Sequence, residues 1–139
     1  MQPVRVAHLG DDRFAITVRG HEVRVDQPIA DGGTDTAPTP TELFIAGLAS
    51  CVAFYARRFL KRHDLPTDGL GVRAYYSIAP RPARVDEIRI ELSVPRGVPV
   101  ERRDALLAVA SHCTVHNTLH VVPHVDVTMV DAVQPMQHV

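Results

Sequence analysis

The chain carries a nearly unbroken apolar run from Leu43 to Ala56, directly behind a clear helix start. Thr39-Pro40-Thr41-Glu42 has the form of a capping box, with Thr39 as N-cap, Pro40 at the first helical position and Glu42 reaching back. The pattern predicts a helix from there to about His63, with Pro66 as its latest end. Between Leu43 and Ala56 this helix has no polar face, so it has to be covered nearly all round. Ala46, Ala49, Ser50, Ala53 and Ala56 form a small-residue stripe at helical spacing, against which a second helix packs closely. The run spans 14 residues, short of the roughly 18–20 that cross a bilayer. In a chain of 139 residues, both faces of such a helix are most easily buried when a second subunit covers one, so a homodimer is expected.

The segments around the helix have the period of strands. Val4–Leu9 alternates weakly, and Gly10-Asp11-Asp12 is a turn signal. Phe14, Ile16 and Val18 alternate with Ala15, Thr17 and Arg19, and after a turn at Gly20-His21 the pattern resumes at Val23 and Val25, which predicts a hairpin. Residues 27–38, rich in Gly, Pro, Asp and Thr, predict a long loop. Beyond the helix, Val72, Ala74, Tyr76 and Ile78 form one face of a strand, and Ile88, Ile90, Leu92 and Val94 form one face of another. Residues 79–84 read as a stiff loop between them. A helix is expected from about Val100 to Cys113, with Leu106, Val109, Ala110 and Cys113 on its core stripe. Val125, Val127 and Met129 alternate as a last strand, followed by a polar tail after about Asp131. The order predicts one α+β domain over residues 1–139, with antiparallel sheets.

Composition narrows the function. Formal net charge is −1, which gives no electrostatic case for nucleic acid or an anionic membrane as partner. The N-terminus lacks the apolar core of a signal peptide, so a cytoplasmic location is expected. In that compartment, the two cysteines are reactive, metal-binding or inert rather than a permanent cross-link.

Cys51 shares a helix face with Phe44, Gly47, Leu48, Tyr55 and Arg58. A thiol in apolar surroundings is inert unless a cation helps it ionise. Arg58 is on the right face but roughly 10 Å along the axis. Cys113, at the expected end of a helix, is a poor attacking thiol because the dipole there opposes a negative charge. It remains able to attack an oxidised sulfur. On these residues alone, a redox role and simple core packing both stay open. His112, His116, His120 and His124 recur every four residues and offer borderline metal ligands, but Val121-Val122-Pro123 ends the helix before the last of them. With no CxxC pair beside them, solvated or capping histidines are expected, and neither metal nor cofactor. Glu42 lies ~180° around and ~13 Å along the helix from Cys51, and the capping box accounts for it.

The segment Pro40-Thr41-Glu42-Leu43-Phe44-Ile45-Ala46-Gly47-Leu48-Ala49-Ser50-Cys51 resembles the first cysteine motif of the OsmC/Ohr family of peroxide-detoxifying proteins, closest to its general OsmC-like branch. Cys113-Thr114-Val115-His116-Asn117-Thr118-Leu119 is similar to the second motif. The resemblance implies an OsmC-like intertwined homodimer, with sheets wrapped around two central buried helices. It implies Cys51 as the peroxidatic thiolate and Cys113 as the resolving thiol, joined in an intramolecular disulfide that an external dithiol reduces. It also implies an Arg from the N-terminal strand region beside the thiolate, with Arg13 the nearest candidate and Arg19 the next, and a catalytic part for Glu42. The chain departs from the pattern twice. The organic-hydroperoxide branch has a Glu where Thr41 stands, and the second motif usually has a Pro where Thr114 stands. The function implied is a thiol-dependent peroxidase for organic hydroperoxides. The alternative is a non-catalytic protein of the same fold that holds a small apolar ligand, with inert thiols.

Overall fold

The computed structural model describes residues 1–132. The chain divides into two compact units, one formed by Met1–Leu43 with residues 125–132, the other by Phe44–His124.

The first unit is built on a three-stranded antiparallel sheet of β1 (Arg5–Gly10), β2 (Arg13–Val18) and β3 (His21–Val25), in that order. Asp11-Asp12 turns β1 into β2, with Gly10 pairing Arg13. The next turn is Arg19-Gly20, one residue earlier than the sequence suggests, and both residues have positive φ (49° and 83°). That backbone twist matches the twist of the flanking strands, which is why a glycine stands there. The burial does not follow the largest side chains. Ala15 is fully buried, whereas Phe14 lies at the margin of exposure.

The long loop is tied down by one carboxylate. Asp26 is completely buried. Its oxygens accept hydrogen bonds from the hydroxyls of Thr34 and Thr36, both at 2.7 Å, and from the backbone N–H groups of Gln27 (2.7 Å) and Thr36 (3.0 Å). The loop backbone also closes on the strand end, where Asp26 N–H donates to the Pro38 carbonyl. So many donors hold the Asp26 carboxyl far below the usual carboxylate range, led by the Thr36 amide and opposed by burial.

The expected helix forms as α1 (Pro40–Arg62). Its capping box is present in full: Thr39 N–H donates to Glu42 Oε1 at 2.9 Å, and Glu42 N–H donates to Thr39 Oγ1 at 3.1 Å. It ends in a Schellman motif. Leu65 N–H bonds the Leu60 carbonyl and Asp64 N–H the Lys61 carbonyl, with Asp64 left-handed at φ 51°. At 23 residues α1 is long and apolar enough to cross a membrane by length and composition. It is a core helix: Leu48, Val52, Ala56, Phe59 and Leu60 lie in the central cluster of the second unit.

That unit adds a hairpin of β4 (Gly71–Pro80) and β5 (Ala83–Ser93). The two strands run further than expected, because residues 79–84 form a tight turn at Arg81-Pro82 with Pro80 pairing Ala83 rather than a loop. Ile88, Ile90, Leu92 and Val94 all pack on the core, as the alternation of β5 predicts. On β4, Val72 joins them while Tyr76 and Ile78 stay exposed.

Within the chain α1 is buried along one side, and Phe44 and Phe54 are exposed. Two expectations are corrected. The helix expected over 100–113 is a short 3-10 turn, Val100–Arg102, followed by α2 (Arg103–Ala110), and Cys113 begins a further helix, α3 (Thr114–His120). Val125, Val127 and Met129 form no strand among the described residues. They are nearly fully exposed, because an alternating segment becomes a strand only when another strand supplies its ladder. Of the polar tail, everything beyond 132 lies outside the described residues.

Candidate active site around the two thiols

Both cysteines are reduced. Cys51 projects from α1, half-buried, and packs against the core cluster to which Cys113 belongs. Cys113 is fully buried. The two side chains are near enough for Cys51 to act on the Cys113 thiol.

The position of Cys113 reverses its expected electrostatics. The sequence pattern runs through Leu106, Val109, Ala110 and Cys113 and places it at a helix C-terminus. The helix stops instead at Ala110, and Ser111 N–H closes onto the Leu107 carbonyl. Cys113 then takes an extended conformation (φ −69°, ψ 159°) and becomes the N-cap of α3. Its sulfur accepts the backbone N–H of His116 at 3.4 Å. A thiol at an N-cap faces the positive end of the helix rather than the negative one. Burial nevertheless pushes the Cys113 thiol above its ordinary range, and the negative charge that Cys51 can carry pushes it the same way; the amides of His116 and Val115 pull it back only in part. The pair is therefore asymmetric. Cys113 is held as a protonated thiol beside a more accessible sulfur.

One contact joining the two helices is not legible from the motifs. Tyr55, one turn after Cys51 on the same face of α1, hydrogen-bonds to Thr114, the residue after Cys113, with 2.8 Å between Oη and Oγ1. A Pro at position 114 has no such hydroxyl, so the departure from Cys-Pro supplies a bond of its own. The signal was a Tyr on the cysteine face of α1 and a hydroxyl residue beside the second cysteine.

Glu42 is committed to the capping box. Arg13 sits on β2 in the first unit, and its Nε is buried with no hydrogen-bond partner among the described residues. Arg19 is the exposed first residue of the β2–β3 turn. Arg58 lies over the rings of Phe54 and Tyr55, 5.6 and 5.7 Å from their centroids. Together with Arg62, His63 and Val109 it lines a cavity of about 290 Å³ beside Tyr55.

The family profile described as OsmC-like protein matches residues 33–128. No curated protein sequence matches the chain. Among solved structures, a Psychrobacter arcticus protein described as an osmotic stress induced and detoxification response protein superposes with a TM-score of 0.79 at 22% identity, covering 85% of this chain and 88% of that one. An OsmC like protein from Mycoplasma pneumoniae gives 0.73 at 18% identity, over 88% and 89%. An organic hydroperoxide resistance protein OsmC from Legionella pneumophila gives 0.63 at 20% identity, over 86% and 88%. At these identities the likeness is one of fold.

Proposed function

The chain belongs to the OsmC-like protein family, and from that premise we propose that it is a thiol-dependent peroxidase that reduces organic hydroperoxides through Cys51 and Cys113. The observation that carries this reading is the unequal thiol pair, in which a buried Cys113 is kept protonated beside the more accessible Cys51. The nucleophile in peroxide reduction is a thiolate, and the partner needs only to attack the oxidised sulfur afterwards.

The Cys51 thiolate attacks the terminal oxygen of ROOH, the S–O bond forms as the O–O bond breaks, and RO⁻ leaves and takes up a proton to become the alcohol. Cys51 is now a sulfenic acid. Cys113 gives up its proton and attacks the Cys51 sulfur; the S–S bond forms and the oxygen leaves as water. An external dithiol reduces the disulfide and restores both thiols. Arg13 is proposed, on the family resemblance, as the cation that holds the Cys51 thiolate. Glu42 is proposed to stand at the same site, beyond its part in the cap.

The acting form is proposed to be a homodimer in the cytoplasm, one domain per chain over residues 1–139. Its support is the apolar surface the chain leaves open: Phe44 and Phe54 on α1, and the exposed alternating side chains of Val125, Val127 and Met129. A second copy covers these apolar side chains. The test is consumption of cumene hydroperoxide with a dithiol reductant. Cys51→Ser abolishes it, and Cys113→Ser, with the dithiol left out, consumes one equivalent of peroxide and stops at the sulfenic acid. Equal steady-state activity in Cys51→Ser and the parent would refute the proposal.

A further inference from the structure

Four histidines recur along residues 112–124, and the structure treats them differently. His112 Nδ1 is engaged with the Ala108 carbonyl at 2.6 Å. The helix α3 ends at His120, where Val121 leaves helical geometry (φ −115°, ψ 87°), so His124 does not continue the row. His116 and His120, one turn apart on α3, are brought together. Their rings lie 4.8 Å apart between centroids, tilted by 34°, and their Nε2 atoms approach to 3.2 Å.

The Nε2 atoms of both rings therefore lie within reach of a single ion. Two imidazoles carrying their protons on Nε2 would direct hydrogen against hydrogen there, so a direct bond between them needs one ring in each tautomer. A metal ion meets no such restriction, because it accepts the lone pairs of both rings at once. The spacing suits it. Two metal–nitrogen bonds of ~2.0–2.1 Å set their nitrogens about 2.9 Å apart at a right angle and about 3.3 Å apart at the tetrahedral angle. The observed 3.2 Å falls inside that range. His116 is half-buried and His120 exposed, so the site opens to solvent.

We propose that His116 and His120 form a two-imidazole chelating site for a late first-row divalent ion, with water completing its coordination. Among the described residues no third His, Cys, Asp or Glu joins them, so the thiols are not ligands. Imidazole donors select Cu²⁺, Ni²⁺ or Zn²⁺ over Ca²⁺ and Mg²⁺, which take oxygen ligands, and the general order places Cu²⁺ first. A bound ion spans one turn of a seven-residue helix that is too short to be stable by itself, and it stabilises that turn. The proposal stands apart from the peroxidase reading, since neither thiol takes part.

The test is a calorimetric titration of tag-free, reduced protein with Ni²⁺, beside His120→Ala and His112→Ala, together with the visible spectrum of the Co²⁺ form. His120 is exposed, so its replacement leaves the fold intact, as circular dichroism checks. One ion per chain is expected, with affinity at least about tenfold weaker in His120→Ala, since even a group that only supports a ligand is worth that much. His112→Ala binds as the parent does, and the Co²⁺ spectrum lacks sulfur-to-metal charge-transfer bands. The site is refuted if saturable binding is absent, if His120→Ala binds as tightly as the parent, if His112→Ala weakens binding equally, or if thiolate bands appear.

Discussion

Tyr55 on α1 and Thr114 on α3 are joined by a hydrogen bond of 2.8 Å, and each is a near neighbour in sequence of one of the two cysteines. Tyr55 lies one helical turn past Cys51, and Thr114 directly follows Cys113. The bond therefore fixes the helix that Cys113 caps against the helix that carries Cys51. In the proposed cycle, its effect falls on the step in which the two sulfurs meet.

Tyr55→Phe and Thr114→Val each remove that bond. A neutral hydrogen bond is worth about 0.5–1.5 kcal/mol net, roughly a two- to tenfold effect on a rate. Both variants are expected to slow disulfide formation by that factor while the first oxidation of Cys51 keeps its rate. Thr114→Ser retains a hydroxyl and restores the parent rate. Stopped-flow measurement of the two phases checks this, and an equal slowing of the first phase would count against a positioning role.

The raised Cys113 thiol has a direction that alkylation reads. Its proton leaves above the ordinary range for a thiol, about 8.5. Because the folded state favours the protonated form, this group contributes stability that is present below the unfolded value and is lost as pH rises through the folded one. Iodoacetamide at neutral pH is expected to label the more accessible Cys51 first, with Cys113 labelled only in alkaline solution. Mass spectrometry of peptides across a pH series distinguishes the two, and preferential labelling of Cys113 at neutral pH would contradict the assignment.

Glu42 serves the helix cap and is proposed to serve the site, and the two parts separate by substitution. Glu42→Gln keeps an oxygen to accept from Thr39 N–H, as either residue does in a capping box. Glu42→Ala loses that oxygen and is expected to cost ~1 kcal/mol of stability, by analogy with loss of a cap side chain. If Glu42 acts only as a cap, Gln leaves peroxide consumption unchanged. A fall in activity with Gln at unchanged thermal midpoint assigns it a catalytic part.

Asp26 makes the long loop sensitive to acid. Its carboxyl is depressed, so its contribution to stability is present above the unfolded value of about 3.9 and is lost as pH falls toward the folded one. Asp26→Asn is expected to lower the thermal midpoint at pH 7 and to flatten its fall below pH 4. Thermal scans of both proteins over that range test it, and parallel curves would show that the charge is immaterial.

Much of this architecture was legible because it rests on local chemistry. The capping box and Pro66 bracket α1, and the strict alternation of β5 reproduces its buried face. The break before Cys113 was hidden, since neither Gly nor Pro interrupts the apolar spacing of Leu106, Val109, Ala110 and Cys113. Only the observed turn at Ser111 shows that Cys113 starts a helix rather than ending one. The Asp26 network was equally hidden, because it joins residues eight and ten positions apart through a loop without periodicity. The spacing of the histidines was visible in the sequence, but whether their nitrogens meet depends on where α3 stops.

The most direct test of the account is mass spectrometry of the non-reduced protein after one equivalent of cumene hydroperoxide. The expected result is a loss of two hydrogens per chain and a peptide pair linked through Cys51 and Cys113, with a sulfenic acid on Cys51 trapped by dimedone in Cys113→Ser. Both thiols remaining free and unmodified under excess hydroperoxide would contradict it.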